Sequence, residues 1–177
     1  AAAAVRIAHD LVAEGVIDEN EAIRRIDPAQ LDQLLHPAID PDHDRRPLTT
    51  GLAASPGAAV GEVGFDAATA ERRGSAGDAV VLVRWETTPD AGGGTIAAQG
   101  VLTAHGGMTS HAAVVARGMG KPCVAGASAV VIDAESRRFT VGGTTVGEGD
   151  VITLDGTTGD VYTGALDLIP PQISDEF

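Results

Sequence analysis

Short apolar runs separated by glycine-rich turns dominate the chain from Ala58 onward, and this pattern restricts the fold to sheets joined by tight turns. Later and shorter runs alternate with Gly-containing turns, which is typical of hairpins. The first four predicted strands are Ala58 to Phe65, Ala79 to Trp85, Val101 to Ala104 and Pro122 to Ala125. The predicted hairpin strands are Phe139 to Val141, Thr145-Val146, Val151 to Leu154 and Val161-Tyr162.

One helix is predicted within this strand-rich region, over Ser110 to Arg117, where small and apolar residues continue without a glycine or proline. Aromatic residues make up only 3% of the chain, so its core must be packed with Ala, Val, Ile and Leu. Side chains of that size suit thin layers of sheet and short helices. We therefore predict a layered α/β domain.

The first 35 residues have a different pattern, with apolar side chains at three- and four-residue steps that indicate helices. Gly15 ends the first predicted helix, Asp18 caps the second, and Pro28 begins a third. A connector rich in proline and charge follows from Pro37 to Pro47. The predicted units are a helical arm and connector over residues 1–46, a domain over residues 47–165, and an outgoing linker over residues 166–177 to a further domain.

Composition and charge exclude several classes of protein. The chain has 25 acidic and 12 basic residues, and a net charge of −13 disfavours binding to DNA or RNA. No apolar stretch reaches the roughly 20 residues needed to span a bilayer, so no membrane association is expected. The single cysteine, Cys123, cannot form an internal disulfide, and no zinc-ligand spacing is present, which fits a reducing cytoplasm. The missing initiator Met predicts a piece of a longer chain.

The segment from Gly106 to His111 has the residues expected of an anion site before a helix. Gly106 and Gly107 let the backbone approach a bulky group, and Thr109 or Ser110 can cap the first turn. His111 then falls in that first turn, where free amides and the helix dipole favour negative charge. The arrangement predicts a histidine that can carry a phosphoryl group.

The chemistry of phosphoryl transfer explains why histidine is the residue at this position. A neutral imidazole is a competent nucleophile toward phosphorus, and a phosphohistidine passes its phosphoryl group onward more easily than a phosphorylated Ser or Thr. We predict His111 as the carrier, with Gly106, Gly107, Thr109 and Ser110 stabilising the phosphate. A histidine that caps a helix or faces solvent fits the same residues, and the residues alone leave both interpretations open.

The segment from Gly106 to Arg117 resembles the phosphohistidine motif of the phosphoenolpyruvate-utilising enzymes. Within that family the similarity to the pyruvate, phosphate dikinases extends over nearly the whole chain. Residues 30–37 look like their helical connector, residues 52–61 like the first strand of their central domain, and residues 148–162 like its closing strands. The resemblance implies a β/β/α swivelling domain and phosphorylation of His111 on Nε2.

The resemblance also implies a reaction and its partners. ATP and inorganic phosphate would phosphorylate His111 with release of AMP and pyrophosphate, and the phosphohistidine would then convert pyruvate to phosphoenolpyruvate. An ATP-grasp nucleotide-binding domain and a pyruvate/phosphoenolpyruvate barrel domain of the same enzyme are the implied partners, in a homodimer. Mg²⁺ and ATP are expected in that full enzyme and no cofactor in this chain, which should not turn over alone.

Several neighbouring residues carry separate expectations. Thr109 matches the threonine that plant dikinases phosphorylate to switch the enzyme off, although its residue type and position favour a helix-capping role. His105 stands where relatives have Arg, so a titratable group replaces a permanent cation. Arg117 lies six residues after His111 and does not share its helix face, which favours packing or an interdomain salt bridge over phosphate contact. The stretch from Thr87 to Gly94, which ends in three consecutive glycines, predicts a loop.

Two alternatives remain open at this level. The chain can be the carrier domain of phosphoenolpyruvate synthase or of a related phosphotransferase, which share the carrier chemistry but differ in substrate. It can also be a noncatalytic swivel module that has lost the use of its histidine. The connector from Leu34 to Pro37 favours the dikinases over the sister enzymes.

Overall fold

The computed structural model of the chain describes residues 2–28, 31, 34–88 and 92–171. The described helices are α1 (Ala2–Ala13), α2 (Glu19–Arg25), α3 (Ala67–Ser75), α4 (Gly92–Ala97) and α5 (His111–Gly118). The described strands are β1 (Ala38–Ile39), β2 (Thr49–Thr50), β3 (Leu52–Ser55), β4 (Ala58–Gly64), β5 (Val80–Arg84), β6 (Gly100–Thr103), β7 (Cys123–Ala125), β8 (Val131–Asp133), β9 (Arg138–Val141), β10 (Thr144–Gly147), β11 (Val151–Asp155), β12 (Asp160–Thr163) and β13 (Leu168–Ile169).

An eight-stranded mixed sheet forms the centre of the fold. Its four middle strands, β4 to β7, run parallel, and the remaining strands pair with their neighbours in the antiparallel direction. Parallel neighbours need crossover connections, and α3, α4 and α5 supply them in turn. The strand order is β2-β12-β11-β4-β5-β6-β7-β3.

The alternation of side chains along β5 shows how the layers are arranged. Val80 and Leu82 pack with Ala70 of α3 and with Ala98, so this face of the sheet is covered by helices. Val81 and Val83 point the other way and belong to a core that includes Phe139 and Val146 of the three-stranded sheet β10-β9-β8. The chain therefore has three layers, sheet on sheet on helices, and the predicted β/β/α fold is confirmed.

Glycines allow two of these helices to approach closely. A Cβ added to Gly94 of α4 would lie 2.5 Å from the Cα of Ala67 in α3, and one added to Gly93 would meet the carboxylate of Glu71. We predicted a loop here because glycine is a poor helix former, and over Gly92–Gly94 that prediction was wrong. The packing of α4 on α3 outweighs the local preference.

The chain segments entering and leaving the domain lie side by side. Strands β1 and β13 form a two-stranded antiparallel ladder in which Ala38 faces Ile169. Farther along the connector, Arg45 donates to the carbonyl of Thr163 at 3.0 Å, and the amide of Leu48 donates to the carbonyl of Val161 at 2.7 Å. Residues 38–48 are thus attached to the domain rather than free of it. The domain bounds themselves stay a prediction, and residues 172–177 of the outgoing linker lie outside the described residues.

The helical arm begins as predicted. Gly15, with φ +69°, follows the end of α1, and the carboxylate of Asp18 accepts from the amide of Glu21 at 2.7 Å as the N-cap of α2. The third predicted helix, from Pro28, falls partly outside the described residues.

Candidate functional site around His111

His111 is the first residue of α5, and Ser110 is its N-cap. Ser110 has an extended conformation, and its Oγ accepts a hydrogen bond from the amide of Ala113 at 3.4 Å. The predicted helix start is therefore confirmed, and the cap is Ser110 rather than Thr109, which is exposed. The side chain of His111 is partly exposed. An exposed imidazole at a helix start can reach a substrate brought to it from outside.

Three alanines hold α5 against the sheet. Ala112, Ala113 and Ala116 are buried and pack with Val101 of β6 and Cys123 of β7. Side chains this small bring the helix close to the strands. His111 then lies beyond the carboxyl ends of the parallel strands, the edge where open α/β sheets usually bind ligands.

A tight turn before the helix sets the position of Ser110. The amide of Ser110 donates to the carbonyl of Gly107 at 3.0 Å. Gly106 has φ +110°, and a Cβ there would lie 3.0 Å from the Cβ of Ser110. The conformation thus favours glycine at position 106, and a larger residue would also press on the side chain of Ser110. Gly107 has nothing within 4 Å of an added Cβ, so the structure gives no steric reason for glycine at that position.

Gly126, in the loop after β7, supports this turn and was not identified from the sequence. Its φ is +62°, and a Cβ there would lie 2.5 Å from the carbonyl oxygen of Gly106. Its amide donates to Oγ1 of Thr103 at 3.4 Å, which joins the loop to the end of β6. The contact joins residues far apart in the chain, so no local pattern could have predicted it.

Free backbone donors surround the start of α5. In the described part of the chain, the amides of His111 and Ala112 have no hydrogen-bond acceptor, as is usual for the first turn of a helix. The positive end of the helix dipole lies at the same place. Together they favour an anion beside His111.

His105 has a neighbour that the sequence did not reveal. Its ring stacks on the indole of Trp85, with ring centroids 5.2 Å apart and an interplanar angle of 1°. Its amide also donates to the carbonyl of Trp85 at 2.7 Å. Trp85 directly follows β5, His105 lies two residues after the end of β6, and both are exposed.

The fixed cations near α5 are used for packing. Arg117 donates through Nη2 to the carbonyl of Ala54 at 2.6 Å, in agreement with the packing role predicted for it. Lys121 donates to the carbonyl of Ala98, and burial lowers the pKa of its ammonium group. Cys123 is buried, and burial raises the pKa of its thiol to about 12, although nearby Arg117 partly opposes this. The thiol is therefore a core group and not a nucleophile.

Two negative findings concern the described residues alone. Among residues 2–28, 31, 34–88 and 92–171, no three His, Cys, Asp or Glu side chains come together in a way that could hold a metal ion. Over the same ranges, no helix has the length and apolar character needed to cross a membrane.

Comparisons with known proteins identify the family. Residues 76–159, which include His111 and its turn, match the family model described as PEP-utilising enzyme, mobile domain. The whole chain is 49% identical to a part of the pyruvate, phosphate dikinase of Rhizobium meliloti. This chain belongs to the phosphoenolpyruvate-utilising enzymes. Pyruvate, phosphate dikinase 1 of Arabidopsis thaliana, a chloroplastic protein, is another member, 50% identical over 97% of the chain.

The chain spans only a fraction of these phosphoenolpyruvate-utilising relatives. It covers 20% of the Rhizobium protein and 18% of the Arabidopsis protein, and 20% of the pyruvate, phosphate dikinase of Clostridium symbiosum, to which it is 49% identical. The solution structure of Enzyme I (nEIt) matches 49% of this chain and 31% of its own, at 28% identity and a TM-score of 0.35.

Proposed function

We propose that this chain is the phosphoryl-carrier domain of a pyruvate, phosphate dikinase, and that His111 carries the group on Nε2. The observation that carries the proposal is the position of His111, partly exposed at the first residue of a helix whose first two amides are free. The family match over this segment supports the assignment. A histidine that served only as a helix cap would not need this position, because Ser110 already caps the helix.

The proposed chemistry has two steps. In the first, the lone pair of Nε2 attacks the β-phosphorus of ATP, a P–N bond forms, and the P–O bond to AMP breaks, so AMP leaves. Inorganic phosphate then attacks the γ-phosphorus, the P–O bond between the β- and γ-phosphorus breaks, and pyrophosphate leaves while the β-phosphoryl group stays on Nε2. In the second, the enolate oxygen of pyruvate attacks the same phosphorus and the P–N bond breaks, giving phosphoenolpyruvate and free His111. The histidine is thus regenerated in each cycle.

The residues of this chain hold the phosphoryl group between the two steps. The free amides of His111 and Ala112 and the helix dipole favour its negative oxygens. The Gly106 turn keeps the N-cap in place, and exposed Thr109 lies beside it as a further hydroxyl donor and as the proposed site of regulatory phosphorylation. Gly107 leaves open space next to the site.

The remaining parts of the reaction belong to segments outside this chain. We propose that a nucleotide-binding ATP-grasp domain and a pyruvate/phosphoenolpyruvate barrel of the same polypeptide hold those substrates, in a homodimer, where Mg²⁺ would neutralise charge on ATP. The length of the relatives, each about five times that of the chain, supports the presence of further domains in the same polypeptide. The relatives cited above are named pyruvate, phosphate dikinases, and this favours the dikinase reaction over the reaction of a sister phosphotransferase.

A chimera tests the proposal. This chain replaces the matching segment of the Rhizobium meliloti dikinase, to which it is 49% identical along its full length. We expect the chimera to form phosphoenolpyruvate from pyruvate, ATP and phosphate, and the His111→Asn chimera to form none. A folded chimera that neither accepts phosphate on His111 nor makes phosphoenolpyruvate would favour a noncatalytic swivel module.

A further inference from the structure

Trp85, the single tryptophan of the chain, lies on its surface. The side chain is 58% exposed, although one of its faces is covered by the ring of His105. Large aromatic residues seldom remain so exposed without a partner, and tryptophan is among the residues most enriched at the centres of protein interfaces. The exposed indole therefore indicates a contact surface.

The other apolar residues exposed near His111 extend this surface. Met108, in the turn before α5, is 44% exposed, and Val114, one helical turn after His111 on the same side of α5, is 54% exposed. We call Trp85, His105, Met108 and Val114 the carrier face. His111 lies between Met108 and Val114 along the chain.

The distribution of charge sets this part of the molecule apart. The chain has 25 acidic residues, yet none lies between Asp90 and Asp133, the stretch that contains His105, His111 and all of α5. Most of the surface of a chain with net charge −13 repels anions, whereas the stretch from residue 91 to residue 132 contributes no carboxylate to that repulsion, although exposed Glu86 directly follows Trp85. The face therefore suits a partner that holds a strongly anionic group.

We propose that the stacked pair of Trp85 and His105 is the docking anchor through which this domain seats His111 against a nucleotide-holding domain of the same polypeptide. The inference rests on the proposed function. Its occupant follows from two observations: relatives about five times longer than this chain provide the partner domain, and the absence of acidic residues from positions 91–132, which include His105 and His111, permits approach to a polyphosphate. Trp85 supplies apolar contact, and the exposed ring of His105 supplies an N–H donor toward phosphate oxygens.

Two phosphorylation reactions of His111 distinguish a variant that weakens docking from one that changes the imidazole itself. In the chimera with the Rhizobium dikinase, His111 receives its group from ATP through the nucleotide domain. In the isolated chain, phosphoramidate phosphorylates the imidazole directly; the P–N bond of the reagent breaks, ammonia leaves, and a new P–N bond forms. Only the first reaction needs docking. Both rates are measured on the wild-type chain, on Trp85→Ala and on Trp85→Phe, with phosphohistidine detected by ³¹P NMR or acid-labile label.

A matched control lies on the opposite layer. Val131 in β8 is apolar and 64% exposed, and it lies far from α5 in the three-stranded sheet, so Val131→Ala removes a comparable exposed group. We expect Trp85→Ala to slow the enzymatic reaction at least fivefold while its chemical rate stays within twofold of wild type. Trp85→Phe should lose less than Trp85→Ala because it keeps an aromatic face, and Val131→Ala should leave both rates within twofold.

Three results would overturn the docking anchor. One is an enzymatic rate for Trp85→Ala that falls less than fivefold. The second is a chemical rate that falls along with it, which would assign Trp85 to positioning His111. The third is an equal loss in Trp85→Phe and Trp85→Ala. Failure of the proposed function looks different, because the wild-type chimera itself would then not accept phosphate on His111.

Discussion

The backbone of Gly126 lies against the carbonyl oxygen of Gly106, so closely that a Cβ added to Gly126 would be 2.5 Å from that oxygen. The contact joins the loop after β7 to the turn before α5. A Cβ added to Gly106 would in turn lie 3.0 Å from the Cβ of Ser110, the N-cap of α5, so the turn before His111 is closely packed between Ser110 and a residue of a different loop.

Gly126→Ala should therefore disturb both stability and the carrier site. At φ +62° an alanine is strained, and the contact with Gly106 adds a steric clash, so we expect a loss of about 1–3 kcal/mol in the free energy of unfolding. Denaturant titration followed by circular dichroism measures it. Gly107→Ala is the control, because nothing lies within 4 Å of an added Cβ there. Equal stabilities for the two variants would contradict the role given to Gly126.

Two Gly→Ala substitutions in helices should have opposite effects on stability, because Gly94 of α4 lies tightly against α3 and Gly118 of α5 has open space around it. Gly94→Ala places a Cβ 2.5 Å from the Cα of Ala67, and overpacking of this kind costs about 1–3 kcal/mol. Gly118→Ala, in α5, meets nothing within 4 Å and should stabilise the chain by up to about 1 kcal/mol through helix propensity. Thermal melts of both variants check the prediction. A stabilising Gly94→Ala would show that α4 does not pack as described.

Asp66 should make stability depend on pH in the acid range. Burial alone would raise the pKa of this carboxyl, but hydrogen bonds from Thr69 and from Arg137 together lower it below its usual 3.8. The folded protein then binds fewer protons than the unfolded chain, so this stabilisation is present above about pH 4 and is lost as pH falls through the folded pKa. Asp66→Asn, which can still cap α3, should flatten that part of the stability profile. An unchanged slope between pH 5 and about pH 2 would contradict the prediction.

Cys123 should be unreactive until the chain unfolds. With its pKa raised to about 12 from 9.0, the buried thiol has roughly a thousandfold less thiolate at pH 8 than an exposed one. We expect iodoacetamide to modify Cys123 in denaturant but not in the native protein, as followed by mass spectrometry. Native modification at the denatured rate would mean that β7 is open to solvent.

Local features of the site were predictable from the sequence because they depend on neighbours in the chain. The start of α5 follows from Ser110 and the alanines behind it, and Asp18 caps α2 through a contact three residues away. The family motif adds the chemistry of His111. Strands of the central sheet were found by their apolar runs for the same reason.

Contacts between distant segments could not be predicted in this way. The support of Gly106 by Gly126 and the stacking of Trp85 on His105 both depend on which strands become neighbours, and that order is set by the whole sheet. At Gly92–Gly94 the local preference even pointed to the wrong structure. Packing against α3 determines the helix there, and packing is a property of the folded chain.

The most direct test of the account is the location of the phosphoryl group. The chain is mixed with the nucleotide-binding part of the Rhizobium meliloti dikinase and ATP labelled on its β-phosphoryl. We expect acid-labile, base-stable label on His111 and none in His111→Asn, whereas His105→Asn should still be labelled. Label that survives in His111→Asn and disappears in His105→Asn would contradict the assignment, and a folded chain that takes no label would contradict the carrier role itself.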